Sequence, residues 1–148
     1  MSFSVVIPAR FAATRLPGKP LLDIAGKPML QRTYEQALAS RADRVVIATD
    51  DERIEEVAQG FGATVCMTKS SHVSGTDRIQ EVSCQLGMSE SDLVVNVQAD
   101  EPLIPPSVIN QVADNLKQDS EVGIATLCET ITSQEEIVDS NSVKVVFD

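Results

Sequence analysis

The feature that most constrains the fold is a series of short, continuous apolar runs that alternate with amphipathic segments. Runs such as VVI, VVIA and LVVNV are typical of strands buried on both faces of a parallel sheet. The predicted strands are Phe3–Pro8, Arg44–Thr49, Ala63–Thr68, Leu93–Gln98, Val122–Cys128 and Val143–Phe147. The segments between the first five carry apolar residues at helical spacing. Such strand–helix–strand units predict an α/β fold, a three-layer α/β/α sandwich around a mostly parallel sheet.

Composition narrows the class of protein. The chain has 148 residues, 43% of them apolar and 23% charged, with a net charge of −10, which predicts one globular domain over residues 1–148. We expect no membrane span and no signal peptide, since no apolar run reaches about 18 residues and the first residues lack a basic segment. The acidic balance argues against nucleic-acid or membrane-surface partners. Three scattered cysteines, Cys66, Cys84 and Cys128, are predicted to be reduced core thiols of a cytoplasmic protein.

The basic groups are concentrated near the start of the chain. Residues 1–34 hold five basic groups and one acidic group, a segment charge of +4, while the remainder carries −14. Ligands of parallel α/β sheets bind outside the carboxyl ends of the strands, and Arg10, Arg15 and Lys19 follow the first predicted strand. Three cations on a proline-stiffened loop can converge on a polyphosphate and on a departing pyrophosphate. The alternative is an ordinary basic connection.

This basic loop does not fit the common phosphate-binding motifs. A Walker loop needs glycine and a hydroxyl residue where this chain has Ala13 and Pro20. The Gly60-x-Gly62 pair follows a predicted helix and lacks the third glycine of a dinucleotide-binding motif. P-loop and redox functions are therefore disfavoured.

A carboxylate follows the fourth predicted strand in the segment QADEP, residues 98–102. Mg²⁺ is usually held by one or two carboxylates together with phosphate oxygens and water. Asp100 is the better candidate ligand, because Glu101 precedes a proline and is placed to cap or pair. The alternative is a simple turn that leads into the next helix.

The segment SGTDR, residues 74–78, opens a predicted helix. Ser74 or Thr76 can cap that helix, and Gly75 allows a ligand to approach the backbone closely. We predict that this segment reads the edge of a nucleobase, with plain helix capping as the alternative. The nearby His72 is more typical of a surface or capping histidine than of a catalytic base.

Four of these segments, in this order, resemble one family. The sequences VVIPARFAATRLPGKPLLDIAGKPML, ATDDERI, HVSGTDR and VNVQADEPLIPP, followed by ATLCETI and NSVKVVFD, closely resemble the 3-deoxy-manno-octulosonate cytidylyltransferases, or CMP-KDO synthetases. The resemblance covers the whole chain. It implies a nucleotide-diphospho-sugar transferase fold and the coupling of CTP to the sugar acid KDO with Mg²⁺, which releases pyrophosphate and serves lipopolysaccharide assembly in Gram-negative bacteria.

The resemblance also implies roles for individual residues. Arg10, Arg15 and Lys19 match the triphosphate-binding loop, and Asp100 matches the Mg²⁺ ligand; these four form the predicted catalytic set. The remaining predicted nucleotide-binding residues are Pro8, Ala9, Ser74, Gly75, Arg78 and Gln98. The implied mechanism is in-line attack by the anomeric hydroxyl of the sugar on the α-phosphorus.

The chain departs from the family pattern in two residues and in length. Ala13 stands where the family usually has serine, and Ala99 stands where it usually has glycine, which would be strained if the backbone there required a positive φ. The chain is also shorter than typical members and resembles their N-terminal part, so CTP binding without turnover is an alternative. Cytidylyltransfer to another sugar acid, 8-amino-KDO or a sialic acid, is a further one. A homodimer is expected for the full-length family.

Overall fold

The computed structural model describes residues 2–12, 16–119 and 121–146, and its main body is a four-stranded parallel sheet between two layers of helices. The sheet strands are β1 (Ser4–Ala9), β4 (Arg44–Thr49), β5 (Thr64–Met67) and β6 (Val94–Asn96), and a small antiparallel hairpin is formed by β2 (Asp23–Ile24) and β3 (Lys27–Pro28). The helices are α1 (Met29–Leu38), α2 (Glu52–Gly60), α3 (Gly75–Gln85), α4 (Pro106–Gln118) and the short α5 (Gln134–Val138).

The alternation of side chains along the strands produces the three predicted layers. Val5 and Ile7 of β1 belong to a core cluster with residues of α1, α2 and α4. Val6, between them, belongs to a second cluster with Val82 of α3. Successive side chains of a strand point to opposite faces, so α3 covers one face of the sheet, and α1, α2 and α4 cover the opposite face. This confirms the predicted α/β/α architecture.

The strand order places a crevice beside β1. The order across the sheet is β5-β4-β1-β6, so the chain first builds outward from β1 on one side and then returns to add β6 on the other. Open parallel sheets bind ligands where the direction of winding reverses, outside the carboxyl ends of the strands. The loops that follow β1 and β6 therefore meet at the position where a ligand site is expected.

Local sequence signals account for where α3 and α4 begin. Ser74 and Asp77 form a reciprocal capping box at α3, and α4 begins at Pro106, whose missing N–H costs nothing in the first turn. The predicted helical stripes correspond to α1–α4. The hairpin β2–β3 and the helix α5 were not anticipated, because two-residue strands and a five-residue helix leave no periodic signal.

Two predicted strands are wrong. Val122–Cys128 is not a strand, and neither are the described residues 143–146 of the segment predicted as Val143–Phe147; residue 147 lies outside the described residues. Their apolar side chains are largely exposed, with Ile124 at 84% and Val143 at 98%. A strand exists only when another strand pairs with it, and within the described residues these runs pair with none of the sheet strands. Apolar content alone therefore overpredicted the sheet.

The cysteine prediction is only partly right. Cys66 is buried, and burial raises the pKa of its thiol. Cys84 and Cys128 are exposed rather than in the core, because Cys84 lies on the outer part of α3 and Cys128 lies in the segment whose predicted strand did not form. All three are free thiols.

Candidate functional site

A cavity of about 220 Å³ opens at the carboxyl ends of β1 and β6. It brings together six of the residues predicted from the sequence: Pro8, Arg10, Lys19, Gly75, Gln98 and Asp100. Pro20, Met29 and Ala99 complete its lining, and sequence reasoning did not assign a binding role to these three. Residues that follow different strands thus meet at one cavity, as the strand-end pattern predicts, whereas the apolar residues of its walls had no distinctive signal in the sequence.

Arg10 enters the cavity immediately after β1. Its Nη2 donates a hydrogen bond of 2.9 Å to the carbonyl oxygen of His72, in the loop that precedes α3. A guanidinium has five N–H donors, so this contact fixes the side chain and leaves donors for an anionic ligand.

Lys19 and Asp100 form an ion pair at the wall of the cavity. The Lys19 Nζ lies 2.7 Å from Asp100 Oδ2, although 81 residues separate them in sequence. Their side chains are 39% and 49% exposed, so the pair contributes only about 0.2–1 kcal/mol to stability. A ligand that carries phosphate and a cation can open so weak a pair, because the phosphate is a stronger partner for Lys19 and the cation is a stronger partner for Asp100.

The backbone conformation of the residue just before Lys19 requires glycine at position 18. Gly18 has φ 72°, and a Cβ there would lie 3.1 Å from the ring of Phe11. The Gly18 N–H also donates to the Phe11 carbonyl at 2.8 Å, which brings the two ends of the intervening loop together. A side chain at this position would be both strained and obstructed.

The turn that carries Asp100 is held from inside the protein. Thr33 of α1 is completely buried, and its hydroxyl donates to the carbonyl oxygen of Ala99 at 3.1 Å. Ala99 does not have a positive φ, so the alanine at this position is not strained. The neighbouring Gln98 donates from Nε2 to Asn96 Oδ1 at 3.0 Å. Asp100 therefore projects from a turn whose backbone is tied to α1 just before the carboxylate.

The start of α3 forms another wall. Gly75 lies close to Pro8, since a Cβ on the glycine would meet the proline ring at 3.4 Å. In the capping box, the side chains of Ser74 and Asp77 each accept a hydrogen bond from the other residue's backbone N–H. Hydrogen bonds from Ser74 to the Asp77 carboxyl hold its pKa below the usual value. Ser74 is not among the residues that line the cavity, so its observed contacts are those of a helix cap.

Arg78 occupies a different position from the other candidates. Its side chain is completely buried; it lies 3.3 Å from Asp50 Oδ1 and donates a short hydrogen bond to Thr68 Oγ1. Asp50 follows β4 and Thr68 follows β5, so the guanidinium ties the ends of two strands to α3. In this conformation Arg78 has no exposed surface to offer a ligand, and it does not line the cavity.

Ala9 and Arg15 are the remaining candidates. Ala9 is buried at the end of β1 and is not in the cavity lining. Arg15 and Ala13 lie outside the described residues. The predicted group of three cations is therefore represented at the described site by Arg10 and Lys19.

The donor set fits a magnesium ion held mainly by phosphate. Within the described ranges, no group of three or more His, Cys, Asp or Glu side chains could enclose a metal by itself. Asp100, however, presents a half-exposed carboxylate at a cavity with two cations. Mg²⁺ is commonly bound by one carboxylate while phosphate oxygens and water supply the other ligands. Asp100 could therefore serve as the protein ligand of a metal ion that phosphate oxygens also hold.

Comparisons with known proteins find relatives over the whole chain. The family described as Cytidylyltransferase matches residues 4–148. The 3-deoxy-manno-octulosonate cytidylyltransferase of Marinobacter nauticus is 63% identical over 148 residues, which is all of this chain and 57% of that protein. The protein of the same name from Cellvibrio japonicus is 62% identical, also over the whole chain and over 58% of its own length.

A solved structure shows the same architecture. The structure of CMP:2-keto-3-deoxy-manno-octonic acid synthetase complexed with CTP superposes with a TM-score of 0.75 and 45% identity, over 82% of this chain and 50% of that one. The chain thus spans a little over half the length of the curated relatives that it matches. Within the described residues, no helix is both long and apolar enough to cross a membrane. Because the family match extends over almost every residue, the chain belongs to the cytidylyltransferase family.

Proposed function

We propose that this protein binds CTP and Mg²⁺ in the cavity between β1 and β6 and takes part in activating the sugar acid KDO to CMP-KDO. The observation that carries the proposal is the meeting of Arg10, Lys19 and Asp100 at one cavity, with Lys19 Nζ 2.7 Å from Asp100. Relatives with 56–63% identity bear the name of this activity, and the solved structure described above contains CTP. A cytoplasmic location, a role in lipopolysaccharide synthesis and a homodimeric full-length enzyme belong to the same proposal.

The proposed chemistry is the one that the family resemblance implies, and the charges at the site suit it. The anomeric hydroxyl of the sugar attacks the α-phosphorus of CTP, a new P–O bond forms, the bond to the β-phosphate oxygen breaks, and pyrophosphate leaves while the hydroxyl proton goes to solvent. Arg10 and Lys19 neutralise the triphosphate and the charge that grows on the departing pyrophosphate. Mg²⁺ on Asp100 would supply further neutralisation of the phosphate oxygens.

The start of α3 is proposed to hold the cytosine. Gly75 has no side chain between the backbone and the cavity, and Pro8 faces it, so a planar base can lie against both residues. Gln98 lies at the same cavity and offers an amide donor and acceptor. Arg15 keeps its proposed role in the triphosphate-binding loop.

Calorimetric titration with CTP and MgCl₂ tests the proposal, with ATP as the control for base selectivity. We expect saturable binding of CTP, weaker binding of ATP, and loss of the Mg²⁺-dependent part of the CTP affinity in Asp100→Asn. Adding KDO to a pyrophosphate-release assay then separates turnover from binding alone. Absence of CTP binding by the unaltered protein would contradict the proposal, whereas binding without pyrophosphate release would restrict it to nucleotide binding.

A further inference from the structure

The loop between β5 and α3 is fastened to α3 by one carboxylate. Glu81 Oε2 accepts a hydrogen bond of 3.0 Å from the backbone N–H of Lys69 and a short one from the His72 ring at Nε2. The side chains of His72 and Glu81 are only 17% and 20% exposed. Contact with His72 is the main reason why the pKa of Glu81 lies below its usual value. The two ends of this loop segment are therefore held by a single side chain.

Glu81 is itself held in place by Gln85. The Gln85 Nε2 donates to Glu81 Oε1 at 3.1 Å and to the Met67 carbonyl at the end of β5 at 2.9 Å. Both carboxylate oxygens of Glu81 consequently have partners. The carboxylate has a fixed orientation, and the His72 ring that binds it is fixed as well.

The same histidine contacts the proposed ligand site through its backbone. The His72 carbonyl oxygen accepts the 2.9 Å hydrogen bond from Arg10 Nη2, and Arg10 lines the cavity. Asp77 also lies near this contact; hydrogen bonds from Ser74 are the main reason why its pKa is lowered, and His72 and Arg10 contribute less. A continuous series of contacts thus runs from Glu81 through His72 to Arg10, although neither Glu81 nor His72 lines the cavity.

We infer that His72 and Glu81 are positioning residues for triphosphate binding, because they hold the His72 carbonyl where it orients Arg10 toward the phosphates. This inference rests on the proposed function. An arginine that is already oriented loses less side-chain entropy when it binds an anion. Glu81 therefore affects the affinity for phosphate through Arg10 without touching the nucleotide.

The experiment compares binding of CTP with binding of cytidine, which lacks phosphates. We expect Glu81→Ala to weaken CTP binding about fivefold, the typical net effect of losing one hydrogen bond, and to change cytidine binding by less than about twofold. Glu81→Gln keeps an oxygen acceptor for His72 and should restore most of the CTP affinity. Glu55→Ala is the matched control, since Glu55 also accepts from a glutamine four residues later but lies on α2, away from the cavity.

A double-mutant comparison identifies Arg10 as the intermediary. Once Arg10 is replaced by alanine, the additional Glu81→Ala change should weaken CTP binding by less than about twofold. If Glu81→Ala does not fold, His72→Ala is measured in the same way. The inference would be overturned if Glu81→Ala weakened CTP and cytidine binding equally, or if it left the CTP affinity unchanged. It would also be overturned if Glu81→Ala weakened CTP binding as much in the Arg10→Ala background as in the unaltered protein. Failure of the unaltered protein to bind CTP would instead contradict the proposed function on which the inference rests.

Discussion

Replacing Lys19 with methionine tests the charge at the centre of the site. Methionine keeps most of the apolar stem and removes the ammonium group, so the change isolates the charge. In the unliganded protein the loss of stability is small, because the side chains of Lys19 and Asp100 are 39% and 49% exposed. Such exposed ion pairs contribute about 0.2–1 kcal/mol. We therefore expect the free energy of unfolding to fall by no more than about 1 kcal/mol.

The effect on CTP binding should be larger. An ammonium about 4 Å from a phosphate charge gains roughly 1 kcal/mol in bulk water and roughly 4 kcal/mol near a protein surface, and the half-exposed Lys19 lies between these limits. Breaking the pair with Asp100 offsets up to about 1 kcal/mol of that gain. A net contribution of about 1–2 kcal/mol remains, which predicts a fivefold to thirtyfold loss of CTP affinity.

The assay is calorimetric titration with CTP and MgCl₂, accompanied by denaturant unfolding. Lys27→Met is the matched control, since Lys27 also forms a half-exposed ion pair, 2.7 Å from Glu35, but is not a cavity residue. That control should bind CTP like the unaltered protein. CTP affinity that is unchanged in Lys19→Met, or reduced equally in both variants, would refute the reasoning.

Three further substitutions separate stability from binding. Gly75→Ala should stabilise the fold by about 0.4–1 kcal/mol, since its φ is not positive and the new Cβ has ordinary contacts, yet weaken CTP binding at least fivefold by narrowing the cavity; unchanged affinity in titrations would contradict this. Thr33→Val should cost about 1–3 kcal/mol in urea unfolding, because the Ala99 carbonyl loses its buried donor; a loss below about 0.5 kcal/mol would contradict it. Ser74→Ala should raise the pKa of Asp77 toward its usual value of 3.8, because the carboxyl loses its hydrogen bond from the Ser74 hydroxyl. The lowered pKa stabilises the protein above about pH 4, and this stabilisation disappears as the pH falls below that value. NMR titration of the Asp77 carboxyl should therefore show a higher midpoint in the variant, and an unchanged midpoint would argue against the capping box.

Much of the fold could be predicted, because burial on both faces of a sheet leaves a direct record in the sequence. The run Arg44–Thr49 coincides with β4, since helices cover its continuous apolar residues on both faces of the sheet. The runs near Val122 and Val143 have similar composition but are exposed. Strand formation depends on a pairing partner elsewhere in the chain, and no local pattern reports that partner.

The site could be predicted in outline for a similar reason. Residues that follow parallel strands gather at one edge, which is enough to bring Lys19 close to Asp100. Burial of Arg78 was not foreseeable, because the carboxylate and hydroxyl that pair with it come from two other strand ends. The role inferred for Glu81 was equally hidden, since it depends on a backbone carbonyl and not on a motif.

A crystal structure of the protein with CTP and MgCl₂ tests the proposed site most directly. We expect a triphosphate in the cavity between β1 and β6, with Arg10 and Lys19 on its oxygens, Lys19 released from Asp100, and Asp100 on the metal ion. A nucleotide bound elsewhere, or an unchanged Lys19–Asp100 pair beside an empty cavity at saturating CTP, would contradict it.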